Sequence, residues 1–320
     1  MGLTLAGAGL VIWLGLTAGA LPAAEVAVAV PKLEFLFAAP KDASGDTLLN
    51  PTGVACDAAR DRVYVADSSH SRVVVFNNVG SLLYSFKHWV KSPSGQHILG
   101  APSHLLPWDS GTLLVSDALS RRLDIMDIYG SVLASIDLAP LLKQQEPVNP
   151  GVTREDQDGN LYVLEQGSQQ VVVLNHGATR VLRIFGGVGK TDGKFEGASD
   201  LAVAPDGTTY VLDGLGQPVI QVFDPQGKFV TGFGQPGDRD ENFHHPAGLT
   251  LDATGRLWIV DAIGQDVKCY TTSGRFLVSF GGLGTGPGQF DFPAAVASGA
   301  GILYVLEKAG ARVQAFRIIS

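Results

Sequence analysis

Residues 245–282 read HPAGLTLDATGRLWIVDAIGQDVKCYTTSGRFLVSFGG. Four apolar runs stand in this stretch: AGLTL, RLWIV, DVKCY and RFLVSF. Turn residues separate them, at Asp252-Ala253-Thr254-Gly255, at Gly264 and at Ser273-Gly274. The runs are short, rich in β-branched and aromatic side chains, and lack the three-and-four spacing of an amphipathic helix. They read as four strands joined by tight turns.

The pattern recurs six times. Aligned on its acid, the chain reads YVAD ending at Asp67, LVSD at Asp117, YVLE at Glu165, YVLD at Asp213, WIVD at Asp261 and YVLE at Glu307. Successive spacings are 50, 48, 48, 48 and 46 residues. A second run follows each acid: RVVVF, RLDIM, QVVVL, VIQVF, DVKCY and RVQAF. Repeats of four strands over about 40–50 residues are the signature of a β-propeller. One such sheet cannot bury both of its faces, whereas sheets stacked around an axis bury one another. The fold class is therefore all-β, a six-bladed propeller with four-stranded blades.

The last repeat stops after its third strand, RVQAFRI at 312–318. A spare strand precedes the first repeat, KLEFLF at 32–37. It is expected to complete the last blade and so close the ring. Otherwise that sheet would keep an unpaired edge.

The joints FGGVGKTDGKF (185–195), FGQPGDRDENF (233–243) and FGGLGTGPGQF (280–290) share one length and begin and end in Phe. With the repeats they resemble NHL repeats, whose units run P-x-G, strand, D-x-x-G, YVAD, R-x-x-x-F, strand, FG. The fifth repeat matches this pattern closely, and the first and fourth match well. The second and third are weaker, and the sixth departs at FPAAVASGAGILYVLE. The resemblance spans about residues 31–318 and implies the propeller fold without a particular activity.

The first twenty residues, MGLTLAGAGLVIWLGLTAGA, carry no charge and end in Ala18-Gly19-Ala20, an A-x-A-like cleavage site. Residues 1–20 read as an export signal, although no Lys or Arg stands near the start. Residues 21–30 read as a linker and 31–320 as the propeller. The expected location is secreted or periplasmic, with membrane contact only through the signal. Net charge is −8 with no basic run, which argues against a nucleic-acid partner. Cys56 falls on the inner strand of the first blade and Cys269 on the third strand of the fifth. Blades so placed cannot bring two Cα atoms within about 7 Å, so two free, buried thiols are expected.

Asp67, Asp117, Glu165, Asp213, Asp261 and Glu307 are read as turn-shaping acids. A short carboxylate at a strand end accepts N–H bonds from neighbouring loops, and an active site is not repeated in every blade. Departures from the repeat are the better functional signals. Where the inner strand enters, the six blades hold Gly53, His104, Val152, Asp200, Gly248 and Ala295. His104 and Asp200 intrude on a position that NHL repeats give to Gly. With His244 and His245 they are expected at the channel mouth. His104, Asp200 and His245 are the candidate ligands of a divalent metal; no other cofactor is expected. Six-bladed lactonases and amidating lyases are similar in outline, with metal ligands converging on the axis.

The joint KHWVKSPSGQHILGAPSH (87–104) is the other anomaly. Lys87, Trp89 and Lys91, with His88 and His97, are read as an exposed partner-binding loop. GGVGKT at 186–191 is not a phosphate loop, because Ile184 stands where its first Gly belongs. Two functions follow as expectations. One is a non-enzymatic scaffold, expected as a monomer, that holds an envelope or extracellular protein or a glycan. The other is a metal-dependent hydrolase or lyase of the lactonase type.

Overall fold

The computed structural model describes residues 29–39, 45–92, 95–109 and 111–319. The export signal read over 1–20 and most of the linker read over 21–30 lie outside the described residues. Six four-stranded antiparallel sheets form the blades of a propeller. Blade one runs outward as Gly53–Asp57, Arg62–Asp67, Arg72–Phe76 and Leu82–Lys87. Blade five repeats this as Pro246–Leu251, Arg256–Asp261, Asp266–Thr271 and Phe276–Gly281. Each inner strand touches the next around the ring, and the last, Pro293–Gly299, touches the first.

Blade six takes Pro293–Gly299, Ile302–Glu307 and Arg312–Ile319 from the end of the chain and Lys32–Ala39 from its start. Lys32 pairs with Ile319 and Ala39 with Val313, antiparallel. The closing strand expected at 32–37 is thus present and runs two residues further. Phe35 meets Phe316 edge-on at 5.9 Å between ring centres.

Burial follows position in the blade. The third strands Arg72–Phe76 and Gln170–Leu174 are almost wholly buried, because neighbouring sheets cover both of their faces. Their sequences are accordingly continuous apolar runs. The outer strand Leu82–Lys87 alternates between half-buried and exposed residues. Three residues before the acid, five blades bury a large aromatic: Tyr64, Tyr162, Tyr210, Trp258 and Tyr304. Each contributes about 2–3 kcal/mol of apolar burial. Blade two has Leu114 there.

Both cysteines are free. Cys269 is buried as expected, but Cys56 is only half-buried, because its inner strand borders the central cavity. Among the described residues no helix is long and apolar enough to cross a membrane.

Candidate functional site

The six acids do one job. Each accepts a backbone N–H from the joint that enters its blade: Leu49 to Asp67 (2.7 Å), Ala101 to Asp117 (2.5 Å), Asn149 to Glu165 (3.0 Å), Glu196 to Asp213 (3.0 Å), His244 to Asp261 (2.7 Å) and Asp291 to Glu307 (2.8 Å). The free lone pairs take the following turn, as in Asp117 with the amides of Leu119 and Ser120. In blades one and six an arginine does this instead, Arg72 to Asp67 and Arg312 to Glu307, each at 2.6 Å. The carboxylates are buried and fasten joint to sheet with charge-assisted bonds.

The residue before each captured amide is a plug in the blade. Leu48, Val148, Phe195, Phe243 and Phe290 are all buried. Blade two differs. The bond from Phe195 N to Gly187 O (2.8 Å), repeated by Phe290 to Gly282 (2.8 Å), recurs as Gly100 N to His88 O (2.9 Å). Gly100 therefore stands at the plug position. A Cβ there would collide with Asp117 Oδ2 and the His88 ring. The imidazole fills the space a phenyl ring takes elsewhere.

His88 is fully buried, which corrects its reading as part of an exposed loop. Its Nε2 lies 3.4 Å from Asp117 Oδ2 and 3.3 Å from Asp124 Oδ2. Burial opposes the imidazolium charge, but the two carboxylates outweigh it and raise the pKa to about 9. Burial also pushes the Asp117 carboxyl up; His88 and Ser120 outweigh this and leave it below the usual range. Asp124 Oδ1 accepts from the Ser135 hydroxyl. Asp124 occupies the third-strand place where blades four and six grip the same joint with glutamine. There Gln221 donates to Lys194 O and Gln314 to Gln289 O, both at 2.6 Å.

The rest of this joint forms a β-hairpin, Trp89–Lys91 paired with His97–Leu99, rather than an irregular loop. Trp89 is 51% exposed, and Lys87, Lys91 and His97 are exposed as well. Lys87 Nζ donates to His70 O at 2.7 Å. Between the hairpin and the outer half of blade two lies a groove of about 480 Å³, lined by Trp89, Lys91, His97, Arg122 and residues 132–135.

The inner-strand intrusions sit differently from the expected channel mouth. Gly53, His104, Asp200, Gly248 and Ala295 share one register, each opposite the residue before the acid. A side chain at this position points at the next blade: a Cβ on Gly53 would collide with Ser103 O. Asp200 wedges in there. It accepts from Leu249 N of blade five (2.9 Å), its own neighbour Leu201 N (2.7 Å) and Arg154 Nη2 of blade three (3.1 Å). Burial nonetheless pushes its pKa up. His104 faces the same arginine; burial, with the Arg154 charge adding, lowers its pKa to about 4.

His244 and His245 are exposed on the joint into blade five, and His244 Nε2 pairs with Asp238 at 3.1 Å. Among the described residues no three His, Cys, Asp or Glu side chains gather as a metal site. The structure thus brings His104 and Asp200 to one arginine and leaves His245 apart, so the expected three-ligand metal set is not assembled.

The NHL repeat model matches residues 48–76, which hold Leu48, the Leu49 amide, Asp67 and the strand to Phe76. That is one unit of plug, acid and sheet, and the geometry above recurs around the ring. The chain is a six-bladed propeller that carries an NHL repeat. No curated protein sequence matches it. Among solved structures, this propeller is similar to virginiamycin B lyase from Staphylococcus aureus, at 16% identity and TM-score 0.57 over 90% of this chain and 88% of that one. It is also similar to a gluconolactonase from Xanthomonas campestris, at 16% identity and TM-score 0.60 over 85% and 88%. A luciferin-regenerating enzyme gives 16% and 0.59 over 91% and 95%. At such identities the likeness is one of fold.

Sequence reasoning missed two residues of this propeller. Arg154 sits opposite the residue three before the acid, where the other blades hold Ala55, Leu106, Ala202, Thr250 and Ala297. Alignment on the acid would have exposed it as the one cation in that column. His88 carried a weaker signal: its joint lacks the apolar plug that precedes the acid by 17 to 19 residues in the other blades.

Proposed function

We propose that this NHL propeller is a non-enzymatic binding scaffold that works outside the cytoplasm and holds a protein partner. The joint into blade two carries the reading. It replaces the repeated loop with a hairpin, exposes Trp89 and opens a groove of about 480 Å³. Aromatic anchors beside cations are the side chains that dominate protein interfaces. The uncharged residues 1–20 support the location. The hydrolase or lyase alternative has less support, since Asp200 is engaged by Arg154 and two amides and His245 lies on a different joint.

The test is capture from an envelope extract by the wild-type chain and by a Trp89→Ala/Lys91→Ala variant of equal stability. A stoichiometric protein retained by the first and lost by the second is expected. Identical captures by the two, or none by either, would refute the assignment of this surface.

A further inference from the structure

The outer strand of blade two, Val132–Ile136, differs from the other five. It is exposed at four consecutive residues, Val132 to Ser135. No other outer strand exposes more than two in a row. Side chains of a strand point alternately to its two faces. Four exposed neighbours therefore mean that both faces, and the edge between them, are open. All four line the groove beside the hairpin. Two are large and apolar, Val132 at 41% and Leu133 at 59% exposure. Soluble proteins normally charge, shorten or cover such an edge, and it is also the surface to which an extended peptide adds as a strand.

The charge around the groove selects among peptides. Lys91, His97 and Arg122 line it, on a chain whose net charge is −8. Neither Lys91 nor His97 makes an ion pair with another described residue. Arg122 has only an exposed partner, Asp137, at 3.6 Å. The one acid in the lining, Asp124, is occupied by Ser135 and by the imidazolium beneath it. The local field is therefore cationic against an acidic background, and a polyanionic segment is steered to it.

We infer that the groove receives an extended acidic segment of a partner protein, added as a fifth strand along Val132–Ile136, with an apolar side chain seated against Trp89. The inference rests on the scaffold reading and gives its partner a chemistry. Main-chain bonds to the open edge hold the segment, and Lys91 and Arg122 choose its charge.

The experiment titrates the full chain with fluorescein-labelled decapeptides by anisotropy at about 0.15 M salt, where exposed charges more than roughly 8 Å apart are largely screened. One peptide alternates valine and glutamate, one alternates valine and lysine, and one is the glutamate peptide N-methylated at alternate residues. The glutamate peptide is expected to bind and the other two to fail. Lys91→Glu/Arg122→Glu should weaken binding about tenfold, the size expected for losing two rim cations. Amides 132–136 should gain protection from hydrogen exchange on binding. Equal binding of the lysine or N-methylated peptide would overturn the inference, as would binding of oligosaccharides with the peptides inert. If Trp89→Ala/Lys91→Ala loses the cellular partner while no peptide binds, the strand-addition inference falls and the scaffold reading stands. If that variant also keeps the partner, both fall.

Discussion

Replacing His88 with alanine should be the most damaging single change in the joint into blade two. The imidazolium sits between Asp117 and Asp124, at 3.4 and 3.3 Å, with none of the three side chains appreciably exposed. Removing it leaves Asp117 with its amides from Ala101, Leu119 and Ser120. Asp124 keeps only the Ser135 hydroxyl. Breaking a buried pair by deleting one partner costs about 3–5 kcal/mol. The pH dependence gives an independent figure. The folded pKa is raised from 6.5 to about 9, so the folded state binds the proton more tightly. That contribution is fully present below pH 6.5 and is lost as pH rises towards 9. It amounts to about 3 kcal/mol at about 1.4 kcal/mol per tenfold change in proton affinity. Urea unfolding of wild type from pH 6 to pH 9.5 should therefore show stability falling through this window. In His88→Ala the fall should be absent and the stability low throughout. Adding Asp124→Asn should recover part of the loss, because the second change removes the stranded charge. A His88→Ala chain within about 1 kcal/mol of wild type at pH 6, or one with an unchanged pH profile, would refute the buried-imidazolium account.

Three further outcomes follow from other parts of the ring. His104 has a folded pKa lowered to about 4, so the unfolded chain takes up its proton first; this contribution is present above pH 6.5 and lost as pH falls towards 4. His104→Gln should remove about 3 kcal/mol of acid sensitivity, read from urea melts between pH 4 and 7. A chain starting at residue 40 lacks the strand that pairs with Arg312–Ile319 and should melt about 10 °C lower or aggregate, followed by calorimetry and light scattering. Burial pushes the Cys56 and Cys269 thiols up to about 11 and about 12, so both should resist iodoacetamide at pH 8 in the folded protein and both should alkylate after denaturation without reductant.

The repeat was legible because its physics is local. An acid at a strand end, a glycine turn and an apolar run each report a constraint inside one blade, and six copies average out the exceptions. The closing strand was legible for the same reason, since KLEFLF matches the outer strands it replaces. The candidate site was less so. His104 and Asp200 were visible as intrusions, but their direction depends on how closely neighbouring inner strands approach, as the collision of a Gly53 side chain with Ser103 O illustrates. His88 was read as exposed because its neighbours Lys87, Trp89 and Lys91 are exposed. Only the absence of a plug at Gly100 makes room for its ring, and that is a relation across twelve residues, from one end of the hairpin to the other.

The closing strand also sets an order of events in time. Lys32–Ala39 leaves the ribosome, and any export channel, more than 270 residues before Arg312–Ile319. Until that partner arrives, its apolar residues Leu33, Phe35 and Phe37 have no sheet to join. Blades one to five have all their strands in sequence and can form as each is delivered, whereas blade six waits for the whole chain. Long-range pairing of this kind is slow, because a large loop must close before any contact rewards it. Ring closure is therefore the final checkpoint of folding, and a chain truncated anywhere after blade one carries an unsatisfied strand at its head. An unpaired apolar strand of that kind makes an unfinished chain prone to aggregate.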